Sequence, residues 1–243
     1  PSIINKDSKI FTKWSVDRSE LYKCNSLKYD LNDRFHKVYI SLLFNHKKEQ
    51  NSERNCKISL EKKHMQNCEL LLNREELLDK IPKNSILAEI GVDEGDFSER
   101  LYKKCDPEYL YLIDLWSSKR YGEKKFNIVK NRFYDQLKKD EVKIFRDDSI
   151  NVVSNFNDNF FDWIYIDTDH SFNTTYKELI TWKSKVKRNG IISGHDYMMG
   201  NWKKTYRYGV IEAVHKFCVE YSWEMVFLTI DQTENLSFAI KRI

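Results

Sequence analysis

Apolar residues follow two different rhythms on either side of residue 80. From residue 85 onward, short apolar runs such as Ser85–Ile90 and Tyr109–Ile113 alternate with amphipathic segments such as Phe97–Lys104. Short runs of this kind, bounded by turn residues, predict buried strands, and the segments between them predict helices. A chain that alternates strands and helices in this way favours a parallel, doubly wound α/β sheet.

Five further apolar runs extend this sheet. Strands are predicted at Val142–Phe145, Phe160–Ile166 and Gly190–Ser193. The last two runs, Trp223–Ile230 and Leu236–Ile243, lie close enough in sequence to pair as antiparallel strands. The intervening helices are predicted at Glu123–Lys139, Thr174–Val186 and Val210–Tyr221.

Residues 1–80 instead carry helical spacing and contain no glycine. Arg34–Lys47 and Ile58–Leu72 both place apolar residues at intervals of three and four. Asn73 and Glu76 form the Asn-x-x-Glu pattern of a helix start, and Pro82 ends the helix that follows. The chain is therefore divided into a helical N-terminal extension, residues 1–80, and an α/β domain, residues 81–243.

Charge and cysteine content narrow the class of protein. The 41 basic and 37 acidic residues leave a net charge of +4. This excess is diffuse, whereas a dedicated nucleic-acid binder carries a sharper basic stripe. The five cysteines show no C-x-x-C spacing, and Cys56, His64 and Cys68 fit no common zinc module. Without a membrane-length apolar run or a signal peptide, we expect a cytoplasmic protein with reduced thiols.

Ligands of doubly wound sheets bind beyond the carboxyl ends of the strands. The first of these ends carries Glu89, Gly91, Asp93 and Gly95, a turn that is neither G-x-G-x-x-G nor a P-loop. Its acids would repel a pyrophosphate, which disfavours a nicotinamide oxidoreductase. Asp114 ends the second strand, where an acid can accept the hydroxyls of a ribose. Together with Asp148 after the third strand, the set fits an adenosine that carries a cationic amino-acid tail.

A second group of titratable residues follows the fourth and fifth predicted strands. Asp167, Asp169 and His170 follow one strand, and His195 and Asp196 follow the other. If these strands are adjacent, the two groups face one another. Carboxylates and imidazoles within reach of one another can remove a proton from an acceptor, or can hold a divalent cation that lowers its pKa.

Four segments together resemble the class I S-adenosylmethionine-dependent methyltransferases. They read AEIGVDEGDFSERL, YLIDLW, FDWIYIDTDHSF and GIISGHDY, in this order. Within that superfamily they are most similar to the small-molecule group that includes the macrolide- and aminocoumarin-sugar O-methyltransferases. The resemblance covers residues 81–243 and implies a Rossmann-like, seven-stranded sheet whose last strand is antiparallel. In relatives, an extension such as residues 1–80 forms a helical lid or a dimer contact.

The resemblance also implies a role for individual residues. Glu89, Gly91 and Gly95 are predicted to contact the methionine part of the cofactor, and Asp114 and Leu115 its ribose. Asp148 and Ser149 are predicted to lie near the adenine, and Asp167 is the last predicted cofactor contact. Asp167 and Asp196 match two ligands of the Mg²⁺ that such relatives hold. His195 replaces an acid of that set, and a nitrogen ligand suits Mn²⁺ better than Mg²⁺. His195 is alternatively the general base without any metal. Asp169 and His170 lie where those relatives place their base.

The expected function is therefore methyl transfer from S-adenosylmethionine to a hydroxyl of a small molecule. A sugar or nucleotide-sugar in polysaccharide or natural-product biosynthesis is the expected acceptor. A nucleic-acid methyltransferase is the first alternative, but DTDH lacks the Asn/Asp-Pro-Pro-aromatic pattern of base methylation. A non-catalytic, cofactor-binding scaffold is the second. The sequence leaves open whether the chain forms a homo-oligomer.

Overall fold

The computed structural model describes residues 58–118, 120–201, 206–231 and 234–243. Residues 1–57 of the expected extension lie outside these ranges, and so does the helix predicted within them at Arg34–Lys47. The chain divides into two compact units, residues 1–55 with 201–207 and residues 56–200 with 208–243. The second unit contains the main sheet and all the residues discussed as a site.

Seven α-helices are assigned among the described residues. Their bounds are α1 Arg74–Asp79, α2 Asp96–Cys105, α3 Glu123–Arg132, α4 Tyr134–Lys138, α5 Ser149–Val152, α6 Phe172–Trp182 and α7 Val210–Tyr221. The strands are β1 Glu69–Leu71, β2 Ile86–Ile90, β3 Tyr109–Asp114, β4 Val142–Arg146, β5 Phe161–Ile166, β6 Val186–Gly194, β7 Gly200–Asn201, β8 Tyr206–Arg207, β9 Trp223–Thr229 and β10 Phe238–Arg242.

Eight of these strands form one mixed sheet in the order β1-β9-β10-β6-β5-β2-β3-β4. Every pairing is parallel except those of β10, which runs antiparallel to both β6 and β9. β2 and β5 lie side by side at the point where the strand order reverses. The structure thus confirms the doubly wound α/β sheet with an antiparallel last strand.

The eighth strand, β1, is not among the seven that were expected. It lies within Ile58–Leu72, for which a helix was predicted, and it pairs in parallel with β9. Leu71 is buried, whereas Leu70 and Leu72 are exposed, as in a strand with one covered face. Three consecutive leucines fit the apolar pattern of a strand and of a helical turn equally well. The strand forms because these residues can pair with the otherwise free edge of β9.

α1 begins where its sequence predicts. The Asn73 side chain accepts a hydrogen bond from the Glu76 amide at 3.0 Å, and the Glu76 carboxylate accepts one from the Leu72 amide at 2.7 Å. These two contacts satisfy amide groups that a helix start leaves without a partner. They also fix the direction of the first turn, which carries Arg74.

Helices cover both faces of the sheet. One core packs α5, α6 and α7 against the strands through residues such as Trp182 and Phe217. The other packs α1, α2 and α3 through residues such as Leu77 and Phe133. Phe133 interrupts the single helix expected at Glu123–Lys139, which is divided into α3 and α4. No helix among the described residues is both long and apolar enough to cross a membrane.

Candidate functional site

The turn after β2 lies directly against the residue that follows β5. Gly91 has a φ of +89°, and a β-carbon there would lie 2.0 Å from the main-chain oxygen of Asp167. The Gly91 amide donates to the Ile113 carbonyl at 2.9 Å, and the Asp167 amide donates to the Ile90 carbonyl at 2.7 Å. Only glycine suits this position, since any side chain would force the two loops apart.

The Asp114 carboxylate supports this turn from the end of β3. Its Oδ2 accepts hydrogen bonds from the Val92 amide at 2.8 Å and the Asp93 amide at 3.0 Å. Its Oδ1 accepts one from the Trp116 amide at 3.1 Å. The neighbouring Leu115 side chain is 48% exposed. The acid therefore orders the loop, and its contact with a ribose stays a prediction.

Glu89, near the end of β2, is buried, and its carboxyl accepts a hydrogen bond from the Ser98 hydroxyl on α2. Burial raises the pKa of Glu89 well above its usual range, and the nearby charges of Asp167 and Asp114 add to this effect. Its carboxyl thus connects β2 to α2 inside the protein. The predicted contact between Glu89 and the methionine part of the cofactor stays a prediction.

A buried carboxyl on α6 links the loops after β4 and β5. Glu178 accepts hydrogen bonds from the Ser149 hydroxyl at 2.7 Å and the Thr168 hydroxyl at 2.8 Å. Burial raises the pKa of Glu178 to about 7, although both hydroxyl donors oppose this rise. The Asp148 side chain accepts from the Ile150 amide at 2.8 Å and begins α5. Asp148 and Ser149 are thus ordered by local bonds, and their contact with an adenine stays a prediction.

Four of the predicted residues come together beyond β5 and β6, which are adjacent and parallel. His170 Nδ1 lies 3.0 Å from Asp196 Oδ2 and 3.8 Å from Asp167 Oδ1. His195 Nδ1 lies 3.4 Å from Asp167 Oδ2 and 3.6 Å from Asp196 Oδ1. Two carboxylates and two imidazoles therefore alternate around one small space, which we call the Asp–His cluster.

Left-handed backbone positions turn two of these side chains into the cluster. His170 has a φ of 61° and Asp196 a φ of 58°. The Gly209 amide donates to the His170 carbonyl at 2.8 Å, and the Tyr208 ring lies edge-on to the His170 ring at 4.9 Å between centroids. Non-glycine residues adopt such φ values at an energetic cost, which is common where function requires a particular side-chain direction.

The electrostatic environment keeps Asp167 ionised. Burial raises the pKa of this carboxyl, but the hydrogen bond and charge of His195 act in the opposite direction. The charges of His170 and Arg74 add to them, so the pKa of Asp167 lies below its usual value. The cluster thus holds a carboxylate next to two imidazoles at neutral pH.

Asp169 lies beside the cluster in sequence but does not enter it. Its Oδ1 accepts from the Ser171 amide and its Oδ2 from the Thr174 hydroxyl, both at 2.9 Å. These bonds stabilise the start of α6. The predicted catalytic role of Asp169 therefore stays a prediction that this geometry does not support.

Three members of the Asp–His cluster can converge on a metal ion. Asp167, His170 and Asp196 each offer one ligand atom, and these atoms lie within 4.8 Å of one another. Two carboxylate oxygens and one imidazole nitrogen fit an ion such as Mn²⁺ better than Mg²⁺. His170 completes this group, whereas the sequence had suggested His195.

Sequence reasoning missed Arg74 and Asn235. Arg74 Nη2 lies 2.5 Å from His195 Nε2, and the Asn235 carbonyl oxygen lies 3.0 Å from the same nitrogen. The Asn235 side-chain amide also donates to Asp196 Oδ1. Neither residue stands in a recognisable motif, since one lies in a helix start and the other in the connection between β9 and β10. The burial of Arg74 becomes visible only in the folded chain.

Part of the chain matches a known family model. Residues 88–197 match the family model described as a methyltransferase domain. This segment includes the glycine turn and the four residues of the Asp–His cluster, but neither Arg74 nor Asn235. A search of curated protein sequences gives no significant match.

Several solved structures share the fold. The pyocyanin biosynthetic protein PhzM is 9% identical with a TM-score of 0.55, and the match covers 70% of this chain and 54% of that one. The chain thus spans about half the length of PhzM. A protein from Clostridium thermocellum that is described as an rRNA-methylase is 13% identical with a TM-score of 0.54. The match covers 71% of this chain and 97% of that one.

A third similar structure is SMU.1697c of Streptococcus mutans, described as a methyltransferase in complex with S-adenosylhomocysteine. It is 14% identical with a TM-score of 0.50, and the match covers 70% of this chain and 96% of that one. At such identities the likeness concerns the fold. The family match over residues 88–197 covers less than half of this chain and lies within this fold.

Proposed function

We propose that this protein transfers a methyl group from S-adenosylmethionine to a hydroxyl of a small acceptor, a sugar or nucleotide-sugar. The observation that carries the proposal is the pairing of His170 with Asp196 at 3.0 Å, beside the ionised Asp167. This pair stands beyond the strand ends, and Asp167 touches the glycine turn. An acid–imidazole pair next to a cofactor turn suits the removal of a proton from a hydroxyl.

The cofactor part of the proposal rests on the turn after β2. Bound S-adenosylmethionine supplies an activated methyl group on a sulfonium. Gly91 leaves room beside Asp167, and Asp114 holds the Val92 and Asp93 amides in place. The exposed Leu115 side chain offers an apolar surface against which an adenine ring can lie. The site thus presents carboxylates near a cationic ligand and an apolar face near its base.

The part of the proposal that concerns the acceptor assigns His170 as the general base. A neutral His170 donates its Nδ1 proton to Asp196, which leaves Nε2 with a lone pair. No described residue hydrogen-bonds to that Nε2, and the His170 side chain is 23% exposed. His170 Nε2 takes the hydroxyl proton while the acceptor oxygen bonds to the methyl carbon and the carbon–sulfur bond breaks. Asp196 then stabilises the imidazolium, as carboxylates do beside catalytic histidines.

A divalent cation is the second way in which the cluster can activate the hydroxyl. Asp167, His170 and Asp196 would hold it, and the cation would lower the pKa of the acceptor hydroxyl. Coordination through His170 Nδ1 would require the ring proton to lie on Nε2, so that Nδ1 offers its lone pair to the cation and Nε2 can no longer accept a proton. The base and the ligand roles of His170 therefore exclude one another when Nδ1 is the ligand atom, so chelation distinguishes them.

The test begins with cofactor binding. Calorimetry with S-adenosylhomocysteine should show one site per chain, and the absence of heat at high protein concentration would overturn the proposal. Methyl transfer is then measured by mass spectrometry on a panel of sugars and nucleotide-sugars, with RNA fragments in parallel. Modification of RNA alone would overturn the small-molecule acceptor.

Two variants test the base. His170→Gln should lower kcat by about 10²–10⁴-fold, the usual contribution of a general base, while leaving S-adenosylhomocysteine binding in place. His215→Gln is the matched control, because its ring bonds to Tyr197 and Ile58 outside the cluster. Equal activity of the His170 variant and its control would exclude His170 as the base.

A further inference from the structure

Gly209, the residue before α7, makes two close contacts with the turn that carries His170. Its amide donates to the His170 carbonyl at 2.8 Å. A β-carbon on Gly209 would lie 2.3 Å from the amide nitrogen of Phe172 and 2.6 Å from its β-carbon. Phe172 is the first residue of α6. The backbone before α7 therefore lies directly against the turn between β5 and α6.

The main-chain conformation of Gly209 does not itself require glycine. Its φ is −116° and its ψ is 14°, and Phe133 adopts nearly the same pair, −104° and 22°. Glycine is required by space alone, because any β-carbon would overlap the backbone of Phe172. The first bond within α7 runs from the Ala213 amide to the Gly209 carbonyl, so α7 itself offers no partner to the Gly209 amide. The His170 carbonyl is that partner.

The two helices beside this contact are fixed by the core. Trp182 near the end of α6 is fully buried, and so are Val210 and Ala213 in the first turn of α7. Neither helix can move away from a side chain at Gly209 without opening this close packing. The turn between β5 and α6 lies nearer the surface, where the His170 side chain is 23% exposed. A displacement of this turn costs least, and it would carry the His170 ring with it.

Two consecutive residues hold the main chain and the side chain of His170. Gly209 holds the carbonyl, while the Tyr208 ring lies edge-on to the imidazole at 4.9 Å between centroids. His170 has a φ of 61°, so the directions of its carbonyl and its ring are set within one unusual turn. The ring meets Asp196 Oδ2 at 3.0 Å from Nδ1. The contact with Gly209 thus fixes the side of the turn from which His170 reaches Asp196.

We propose that Gly209 is a positioning residue of the proposed active site. Because it has no side chain, the turn after β5 can bond to the backbone before α7, and this bond keeps the His170 ring beside Asp196. The consequence for catalysis rests on the proposed function, but it is the same whether His170 acts as a base or as a cation ligand. Gly209 lies outside residues 88–197, so this control comes from a part of the chain that the family match does not include.

Gly209→Ala tests the proposal, and Gly190→Ala is the matched control. A β-carbon on Gly190 would lie 2.7 Å from Val186 Cγ1 and 2.8 Å from the main-chain oxygen of Asp162, a similar overlap at the opposite end of β5. Relative to the control, Gly209→Ala should lower kcat by about 10²-fold, as expected when a reacting group is displaced. The KM for S-adenosylmethionine should be the same in both variants. Equal kcat values would overturn the proposal.

The position of His170 can also be followed without any activity. Its ring signals in ¹H–¹³C correlation spectra, recorded with EDTA present, are identified by their loss in His170→Gln. They should shift in Gly209→Ala, because the His170 ring moves relative to the Tyr208 ring, and should stay in place in Gly190→Ala. Unshifted signals in Gly209→Ala would overturn the proposal.

The wild-type protein decides the question if Gly209→Ala does not fold. Hydrogen exchange of the Gly209 amide should be slow, because this amide is bonded to the His170 carbonyl. Exchange as fast as in an unstructured peptide would overturn the proposal. A protected Gly209 amide and a displaced His170 ring in Gly209→Ala, found in a protein without methyltransferase activity, would retain this inference and reject the proposed function.

Discussion

A β-carbon on Gly91 would lie 2.0 Å from the main-chain oxygen of Asp167. The two loops of the proposed site therefore approach one another closely through their backbone atoms. Gly91→Ala should destabilise the protein by about 3 kcal/mol or more, since it combines a clash with an unfavourable φ. It should also abolish S-adenosylhomocysteine binding. Urea unfolding and calorimetry measure the two effects.

Gly95→Ala is the control for this prediction. Gly95 has a φ of +79°, but a β-carbon there would have its nearest neighbour, Val129 Cγ2, at 3.3 Å. The variant should lose only about 1–2 kcal/mol from its backbone conformation. If both glycine variants lose the same free energy of unfolding, the approach of the two loops is not what requires glycine.

Asp114→Asn should weaken the turn after β2 without removing it. The variant's amide oxygen can still accept from Val92 and Asp93, but its NH₂ group would face the Trp116 amide, which now donates to Oδ1. Two opposed donors cost about 1–3 kcal/mol. We expect this loss in urea unfolding, together with weaker S-adenosylhomocysteine binding by calorimetry. Unchanged unfolding would show that the Trp116 amide is not held by Asp114.

Glu178 should make stability depend on pH. Its pKa rises from 4.5 in an exposed carboxyl to about 7 in the folded protein, so folding takes up a proton between these values. The stabilisation is complete below pH 4.5 and is lost as the pH rises to about 7. The change approaches about 3 kcal/mol, because one pKa unit corresponds to about 1.4 kcal/mol.

Glu178→Gln isolates this effect, since the amide keeps the size of the side chain and cannot titrate. The difference in free energy of unfolding between the wild type and the variant is measured from about pH 5 to pH 7.5. Relative to the variant, the wild type should become less stable as the pH rises. A constant difference would mean that Glu178 titrates at its ordinary pKa.

Asn235→Asp should place a second carboxylate against Asp196, whose side chain is 5% exposed. Like charges in such surroundings disfavour one another, so we expect a loss of about 3 kcal/mol at neutral pH that shrinks in acid. Asn235→Ala removes only the hydrogen bond and should cost about 1–3 kcal/mol at either pH. Unfolding curves at two pH values separate the variants, and equal curves would show that Asn235 does not contact Asp196 in solution.

The sequence predicts the central strands well, for a physical reason. β2, β3 and β5 are covered on both faces, so nearly all their residues are apolar and their ends stand out. α7 was predicted with its observed bounds, Val210–Tyr221. β1 was missed because three residues on an edge are held by the neighbouring β9 rather than by their own pattern.

The candidate site also has a part that the sequence predicts and a part that it does not. Adjacent parallel strands bring Asp167, His170, His195 and Asp196 together. The sequence places these residues at strand ends but leaves the adjacency of the two strands as a condition, which the structure meets. The contacts of Arg74 and Asn235 depend instead on how α1 and the β9–β10 connection fold onto the sheet. Glu178 was missed because an inward-facing acid on a helix resembles a surface one until its burial is known.

The enclosure of His195 also has a consequence for the order in which the protein matures during synthesis. Arg74 leaves the ribosome before every strand of the main sheet except β1, whereas Asn235 and β10 leave last. The glycine turn, the carboxylates and the imidazoles can all be synthesised while β10 is still missing from the middle of the sheet. A chain that stops before Asn235 would therefore contain nearly every residue of the proposed chemistry. It would still lack the contacts of Asn235 with His195 and Asp196.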